Sequence, residues 1–172
     1  KYSENGDLIT FGINPNSPHT GYGYIESENA LDINNIRGER IIKFIEKPDS
    51  SYAKELIKDK KYSWNSGIFL FNAKTILDEV QKFNPKILKN CKLSLKKAVI
   101  DLDFQRLDKD HFFKCPSISI DVAVMEKTYL GTVLPLDIGW NDIGSWDSVW
   151  KTSKKDSHKN FIKGNIISQK NE

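Results

Sequence analysis

Apolar and polar positions alternate along the chain in a way that predicts strands interleaved with helices. Leu8–Ile13 is an apolar run that ends in a turn cluster at 14–18, which is typical of a strand followed by a turn. The same patterns predict further strands at 22–26, 40–46, 64–71 and 131–136, and helices at 51–60, 73–83, from Pro85, at 120–127 and at 144–150. Because strands alternate with helices, we expect a fold of the α/β class.

Particular residues mark where these elements begin and end. Pro48 closes the third predicted strand because it has no amide hydrogen for the ladder, and Asp49 or Ser50 can cap the helix that follows. Pro85 opens a further helix. Its inward-facing positions are predicted to be Ile87, Leu88, Cys91 and Leu95. An apolar stretch at 161–168 is predicted to be the first strand of a following region, whereas 103–113 gives no clear pattern.

The amino-acid composition limits the classes of protein to which this chain can belong. The chain has 172 residues, 38% hydrophobic and 28% charged, with a net charge of +3. Its lysines are dispersed among the acidic residues, so we expect no nucleic-acid partner. No stretch approaches the length of a membrane span, so we expect no membrane association. The two cysteines, Cys91 and Cys115, fit no zinc pattern and are expected to be buried reduced thiols. Together these features predict a cytoplasmic protein.

Three short stretches in the first half carry candidate ligand-binding residues. Gly23, within the run Thr-Gly-Tyr-Gly-Tyr-Ile at 20–25, allows a ligand to approach the backbone. Tyr22 and Tyr24 share a strand face and could stack on a sugar ring; the alternative is an ordinary hairpin with cross-strand aromatics. In Phe-Ile-Glu-Lys-Pro at 44–48, Glu46 can accept hydroxyl hydrogen bonds and Lys47 can pair with a phosphate; the alternative is a surface ion pair.

The remaining candidates are an amide and two carboxylates. Asn65 enters an apolar strand, so its amide needs partners, which a ligand or the neighbouring backbone could supply. Asp121 is either a pocket residue or an acid in the first turn of a helix. Asp142, flanked by glycines and aromatics in Gly-Trp-Asn-Asp-Ile-Gly-Ser-Trp at 139–146, is either a magnesium ligand or a helix cap.

The order of these motifs closely resembles that of bacterial mannose-1-phosphate guanylyltransferases, which occur alone or fused to a phosphomannose isomerase domain. The likeness runs from about Leu8 to Trp150, and the runs at 44–48 and 140–146 are its most specific parts. The resemblance implies a Rossmann-like nucleotidyltransferase domain with a mixed sheet. It implies that mannose 1-phosphate and GTP are converted to GDP-mannose and pyrophosphate with Mg²⁺, and it leaves a homodimer open.

The resemblance also implies roles for individual residues. Gly23 and Tyr24 line the sugar pocket, Glu46 and Asn65 contact the sugar, and Lys47 binds the sugar phosphate. The metal ligand is Asp142, and Lys47 and Asp142 are the catalytic residues. Asp121 is a further candidate for the pocket.

The chain departs from the family pattern because it lacks the glycine-rich motif that binds the nucleotide. Its ten glycines include no Gly-Gly-x-Gly run before a helix. We therefore expect the N-terminal nucleotide-binding half to be absent from this chain and the isolated fragment to be inactive. Residues 1–150 would be the sugar-phosphate and metal half, and 151–172 a linker and the start of a β-rich region. The rival functions are nucleotidyl transfer to another hexose 1-phosphate and a non-catalytic sugar-phosphate-binding module.

Overall fold

A computed structural model describes residues 1–167. The chain divides into two compact units, the first spanning Lys1–Asp137 and the second beginning at Ile138. The boundary predicted from the sequence lies after residue 150. The first unit ends soon after its last strand, which stops at Pro135, so the stretch around Asp142 belongs to the second unit.

The first unit contains all the strands of the described chain. They are β1 (Leu8–Ile13), β2 (Tyr24–Ser27), β3 (Glu39–Ile45), β4 (Tyr62–Leu70), β5 (Val99–Asp101), β6 (Phe104–Arg106) and β7 (Gly131–Pro135). The α-helices are α1 (Ser50–Leu56), α2 (Ala73–Phe83), α3 (Pro85–Lys96), α4 (Lys109–Phe112) and, in the second unit, α5 (Trp146–Thr152). A short 3₁₀ turn at Ser3–Asn5 precedes β1, and a single π-helical turn spans Asp121–Met125.

Five of the strands close into a barrel in the order β1-β4-β2-β3-β7, with β7 returning to β1. The β1–β7 pair is parallel, whereas the other four pairs are antiparallel. The predicted α/β class and mixed sheet are therefore confirmed. Closure pairs the strand nearest the start of the chain with the strand at the end of the first unit.

The apolar core lies where the sheet meets the π-helical turn. Its buried members are Leu8, Ile25, Phe44, Ala123, Val124, Met125 and Val133. Side chains from α2, including Ile76 and Val80, pack against this cluster. Burying each large aliphatic or aromatic side chain contributes roughly 1.5–3 kcal/mol, so this cluster fixes the turn that carries Asp121 against the sheet.

The predicted start was close to the observed one for both α1 and α2, but the predicted end was right only for α2. The helix predicted at 73–83 is α2, which Asn72 caps by accepting from the Lys74 amide at 2.9 Å. Asp49 caps α1 by accepting from the Tyr52 amide at 2.8 Å, although α1 ends at Leu56 and not at residue 60.

Other predictions were wrong in detail. On α3, Leu88 is buried but Leu95 is 55% exposed. Cys91 is exposed and Cys115 is half-buried, so the expectation of buried thiols was wrong. The stretch 103–113 contains the end of a small hairpin, β5–β6, and the short helix α4.

The second unit holds α5 as its only regular helix among residues 138–167. Residues 161–167 form no strand, contrary to prediction, and Phe161 and Ile167 are exposed. A strand needs a neighbour for its backbone groups, and these residues have none in the described chain; residue 168 lies outside the described residues. No helix among residues 1–167 is long and apolar enough to cross a membrane.

Candidate functional site

The chain reverses sharply where β3 ends, and this reversal carries Glu46 and Lys47. β3 stops at Ile45, and Lys47 has a φ of 47°, in the left-handed region. The residue before a proline favours extended angles. Lys47, which precedes Pro48, is left-handed instead, because the chain must turn from β3 to α1 within residues 46–49.

The reversal brings two side chains together that a regular strand would separate. Lys47 Nζ lies 3.0 Å from Glu46 Oε1. The lysine side chain is 63% exposed, whereas that of the glutamate is 20% exposed. The predicted alternative of an ion pair is therefore present, and the same geometry holds an ammonium at the mouth of a more enclosed carboxylate.

The second oxygen of Glu46 faces the backbone of Gly23. A methyl group built on Gly23 would lie 2.9 Å from Glu46 Oε2 and 3.4 Å from the Asn65 Cβ. Asn65 in turn donates its backbone N–H to the Gly23 carbonyl at 2.8 Å. A side chain at position 23 would displace the carboxylate from this place, so Gly23, Glu46 and Asn65 line one recess.

Asn65 connects this recess to Asp121. Its Oδ1 accepts from Thr10 Oγ1 at 2.7 Å, and its Nδ2 donates to Asp121 Oδ1 at 3.1 Å. The neighbouring backbone amide of Gly67 also donates to Asn65 Oδ1, at 3.3 Å. The alternative of backbone partners is therefore right in part, and protein side chains satisfy much of the rest of the amide. The four residues Gly23, Glu46, Asn65 and Asp121, with Lys47 at the edge, form what we call the carboxylate cluster.

The π-helical turn sets the position of Asp121. The Glu126 amide reaches back to the Asp121 carbonyl at 2.9 Å, which is the wide spacing of a π-turn. Asn84, between α2 and α3, donates its Nδ2 to the Ala123 carbonyl at 2.5 Å. A regular helix was predicted at 120–127; the π-turn replaces it, and π-turns are frequent at functional sites.

Tyr24 is not at the surface of the cluster. Its side chain is fully buried, and its hydroxyl donates to the His19 carbonyl at 2.9 Å. Tyr22 stacks on the His19 ring at 3.8 Å and meets Trp64 edge-on at 5.1 Å. These aromatics hold the turn that precedes Gly23, so direct stacking of a sugar on Tyr24 would require this buried ring to become accessible.

A cleft of about 650 Å³ opens beside Glu46. Its walls are residues 41–46 of β3 and its end, Tyr52 of α1, and residues 125–129 after the π-turn. Lys43 and Lys127 add positive charge there, and Lys43 Nζ donates to the Tyr52 hydroxyl at 3.1 Å. Neither lysine was predicted to have a role, because Lys43 in a strand and Lys127 in the turn after the π-helix carry no distinguishing sequence signal.

Asp142 lies in the second unit and is exposed. The cap of α5 is Ser145, whose side chain accepts from the Ser148 amide at 3.2 Å, so the alternative that Asp142 caps this helix is wrong. Its carboxylate is open to solvent, which suits a magnesium ion that takes one protein carboxylate together with phosphate and water. Among residues 1–167 no cluster of three or more His, Cys, Asp or Glu side chains could form an all-protein metal site.

Comparison with known proteins identifies the family of the chain. Residues 1–159 match the family model described as nucleotidyl transferase. The chain therefore belongs to the nucleotidyl transferase family.

Individual relatives are more specific. The chain is 47% identical over 171 residues to a mannose-1-phosphate guanylyltransferase of Salmonella montevideo, covering 98% of this chain and 36% of the relative. It is 44% identical over 168 residues to the alginate biosynthesis protein AlgA of Pseudomonas syringae pv. tomato, covering 97% and 34%. It thus spans about a third of the length of these curated relatives.

A solved structure shares the fold. The crystal structure of mannose-6-phosphate isomerase from Helicobacter pylori matches with a TM-score of 0.72 and 34% identity, over 82% of this chain and 54% of that one. The fold-level likeness therefore covers most of the chain.

Proposed function

We propose that this chain is the sugar-phosphate and metal half of a mannose-1-phosphate guanylyltransferase. The observation that carries the proposal is the carboxylate cluster. Glu46, which pairs with Lys47, and Asn65, which bonds to Asp121, both lie against Gly23 in a chain of the nucleotidyl transferase family. The guanylyltransferase name of a relative 47% identical over nearly the whole chain supports the choice of substrates.

The chemistry of the cluster suits a sugar phosphate. A carboxylate accepts hydrogen bonds from vicinal hydroxyls, and Glu46 and Asp121 each present one. The Asn65 amide, which already bonds to Thr10 and Asp121, has a second Nδ2 hydrogen to donate. Lys47, at the exposed edge, supplies a compact positive charge for the phosphate. In this proposal the sugar lies against Gly23 and the phosphate points toward Lys47.

The proposed reaction is a phosphoryl-type transfer that needs positioning and charge neutralisation more than covalent help from the protein. An oxygen of mannose 1-phosphate forms a bond to the α-phosphorus of GTP as the bond to pyrophosphate breaks, giving GDP-mannose. Lys47 offsets the repulsion between the two anions. Asp142 would hold Mg²⁺, which supplies Lewis-acid neutralisation of the triphosphate when bound.

The rest of the catalytic machinery belongs to the same proposal. The glycine-rich loop that grips the triphosphate, in a Rossmann-like nucleotide-binding half, would come from residues outside these 172. A cytoplasmic location and a role in supplying GDP-mannose for polysaccharide synthesis follow from it. The 172-residue chain alone should release no pyrophosphate from GTP and mannose 1-phosphate.

The test compares two lysine variants of the full-length protein. Lys47 and Lys58 each pair with a glutamate and are similarly exposed, at 63% and 65%. Lys47→Ala should lower kcat/KM for mannose 1-phosphate on the order of 100-fold, by analogy with loss of one stabilising donor, with a far smaller change in KM for GTP. Lys58→Ala should behave as wild type. Equal effects of the two variants would contradict the proposal.

Product analysis separates the rival functions. Wild-type enzyme should form GDP-mannose from mannose 1-phosphate much faster than any nucleotide sugar from glucose 1-phosphate. The reverse preference would favour another hexose, and binding of mannose 1-phosphate without turnover would favour a non-catalytic module.

Asp142→Asn should keep the fold but lose the dependence of the rate on magnesium, since a neutral amide is a weaker ligand for a hard cation.

A further inference from the structure

The two cysteines lie next to each other although 24 positions separate them in sequence. Cys91 Sγ is 3.8 Å from Cys115 Sγ. Cys91 is on α3, and Cys115 follows α4. Neither belongs to the carboxylate cluster. A disulfide bond is about 2.05 Å long, so the sulfurs must approach each other by a little under 2 Å. Rotation of the two cysteine side chains, together with a small shift of the backbone, can bring them this close.

The segments that carry the two thiols are already held side by side. Asn90, adjacent to Cys91, donates its Nδ2 to the carbonyl of Lys114, adjacent to Cys115, at 3.0 Å. One turn further along α3, Ser94 Oγ donates to the Asp108 carbonyl at 2.7 Å, and the Asp108 amide donates back to the Ser94 carbonyl at 3.1 Å. These bonds hold the two thiols side by side, so the sulfurs can meet without a change of fold.

The thiols differ in accessibility. Cys91 is exposed, whereas Cys115 is half-buried and 4.0 Å from the carbonyl oxygens of Ile87 and His111. Burial, together with the neighbouring Cys91 sulfur, raises the pKa of Cys115. An outside reagent therefore meets Cys91 first, and Cys115 is placed to react second.

We propose that Cys91 and Cys115 form a thiol–disulfide exchange site whose substrates are low-molecular-weight disulfides. The Cys91 thiolate attacks one sulfur of the small disulfide, forming a mixed disulfide and releasing the other sulfur as a thiolate. The Cys115 sulfur, after losing its proton, attacks Cys91 Sγ and releases the second small thiolate. The protein dithiol loses two electrons, the small disulfide gains two, and both thiol protons pass to the released thiolates through solvent.

The bond would tether α3 to the chain that leads into the π-turn. Cys115 begins the connection that runs to Asp121, and this connection contains no regular element between α4 and the π-turn. Closing the bond therefore fixes one end of that connection to a helix. Excess small thiol reverses the reaction, so the tether responds to the ratio of thiol to disulfide.

The experiment uses the full-length protein and oxidised glutathione. Trypsin cuts after Lys89, Lys92, Lys114 and Lys127, which places the two cysteines in peptides 90–92 and 115–127. After oxidation and alkylation of free thiols, mass spectrometry should find these two peptides joined and two hydrogen atoms lighter than their sum. The joined species should disappear after dithiothreitol. Finding both peptides alkylated, or either joined to another cysteine instead, would overturn the proposal.

Serine variants test the order of the steps. Cys115→Ser should stop at a glutathione adduct on Cys91, and Cys91→Ser should react much more slowly and yield no joined peptide. In the oxidised wild type, hydrogen exchange at 115–120 should slow severalfold relative to reduced protein, with no such change in Cys91→Ser. A faster reaction at Cys115 than at Cys91, or equal exchange in both redox states, would contradict the assignment. None of these measurements depends on the proposed catalytic activity.

Discussion

Asn65 Nδ2 donates a hydrogen bond to Asp121 Oδ1 at 3.1 Å, joining strand β4 to the π-turn across 56 residues of sequence. On its other side Asn65 accepts from Thr10 Oγ1 of β1. The amide therefore orients the Asp121 carboxylate from a strand that is itself paired on both edges. The position of Asp121 thus depends on the sheet as well as on the turn.

Exchanging the two groups tests this bond. Asn65→Asp places two carboxylates in contact and should destabilise the protein by about 1–3 kcal/mol, the cost of losing a buried partner. The double variant Asn65→Asp/Asp121→Asn restores one donor and one acceptor and should recover much of that loss. Urea unfolding of the purified protein measures both. A double variant no more stable than the sum of the single changes would show that the two side chains do not interact directly.

Gly23→Ala should disrupt the recess without disturbing the sheet. The added methyl group would meet Glu46 Oε2 at 2.9 Å, so the carboxylate must move. We expect a rise in KM for mannose 1-phosphate on the order of tenfold, equivalent to about 1.4 kcal/mol, with a much smaller change for GTP. Gly21→Ala is the control, since its methyl group meets only the exposed His19 ring at 3.2 Å. Equal kinetic effects would argue against a recess at Gly23.

Backbone strain at Lys47 predicts that glycine is more stabilising than alanine at this position, whereas the order is the opposite at Lys43. At φ 47° a Cβ costs roughly 1–2 kcal/mol, so Lys47→Gly should be more stable than Lys47→Ala by about 1 kcal/mol. At Lys43, within β3, glycine should instead be worse than alanine by about 0.5–1 kcal/mol. Chemical denaturation of the four variants gives both differences. The same sign at the two positions would mean that Lys47 is not strained.

Alkaline pH should destabilise the protein through Tyr62. Burial, with the hydrogen bond from its hydroxyl to Glu26 Oε2 at 2.8 Å, raises the pKa of Tyr62. Its stabilising contribution is full below the unfolded pKa of about 10 and is lost as pH rises above that value, because the unfolded state then releases a proton that the folded state retains.

A pH series of unfolding measurements checks the effect. Between about pH 10 and 11, stability should fall less steeply in Tyr62→Phe than in the wild type. Tyr129→Phe, which removes a phenol that is 79% exposed, should leave the slope unchanged. If the stability of Tyr62→Phe falls with pH as steeply as that of the wild type, the Tyr62 phenol ionises alike in the folded and unfolded states.

The sequence predicted elements best where several local signals coincided. For α2, the apolar period agreed with Pro85, which opens the next helix, and both ends were right. At Lys47 the proline rule and the demands of a short reversal conflicted, and the reversal prevailed. The pairing of residues in the cluster was only partly predictable. Gly23 and Glu46 were expected together, but the Thr10–Asn65–Asp121 chain depends on which strands become neighbours.

The parallel pairing of β1 with β7 sets a condition on synthesis of the protein. Leu8 pairs opposite Gly131, and the β3–β7 pairing likewise needs β7. As the chain leaves the ribosome, β1 and β3 each keep one side of their backbone unpaired until β7 emerges. Open strand edges of this kind invite association with other chains. A ribosome that stalls before β7 would therefore present an aggregation-prone nascent chain, and molecular chaperones would be needed most during that interval.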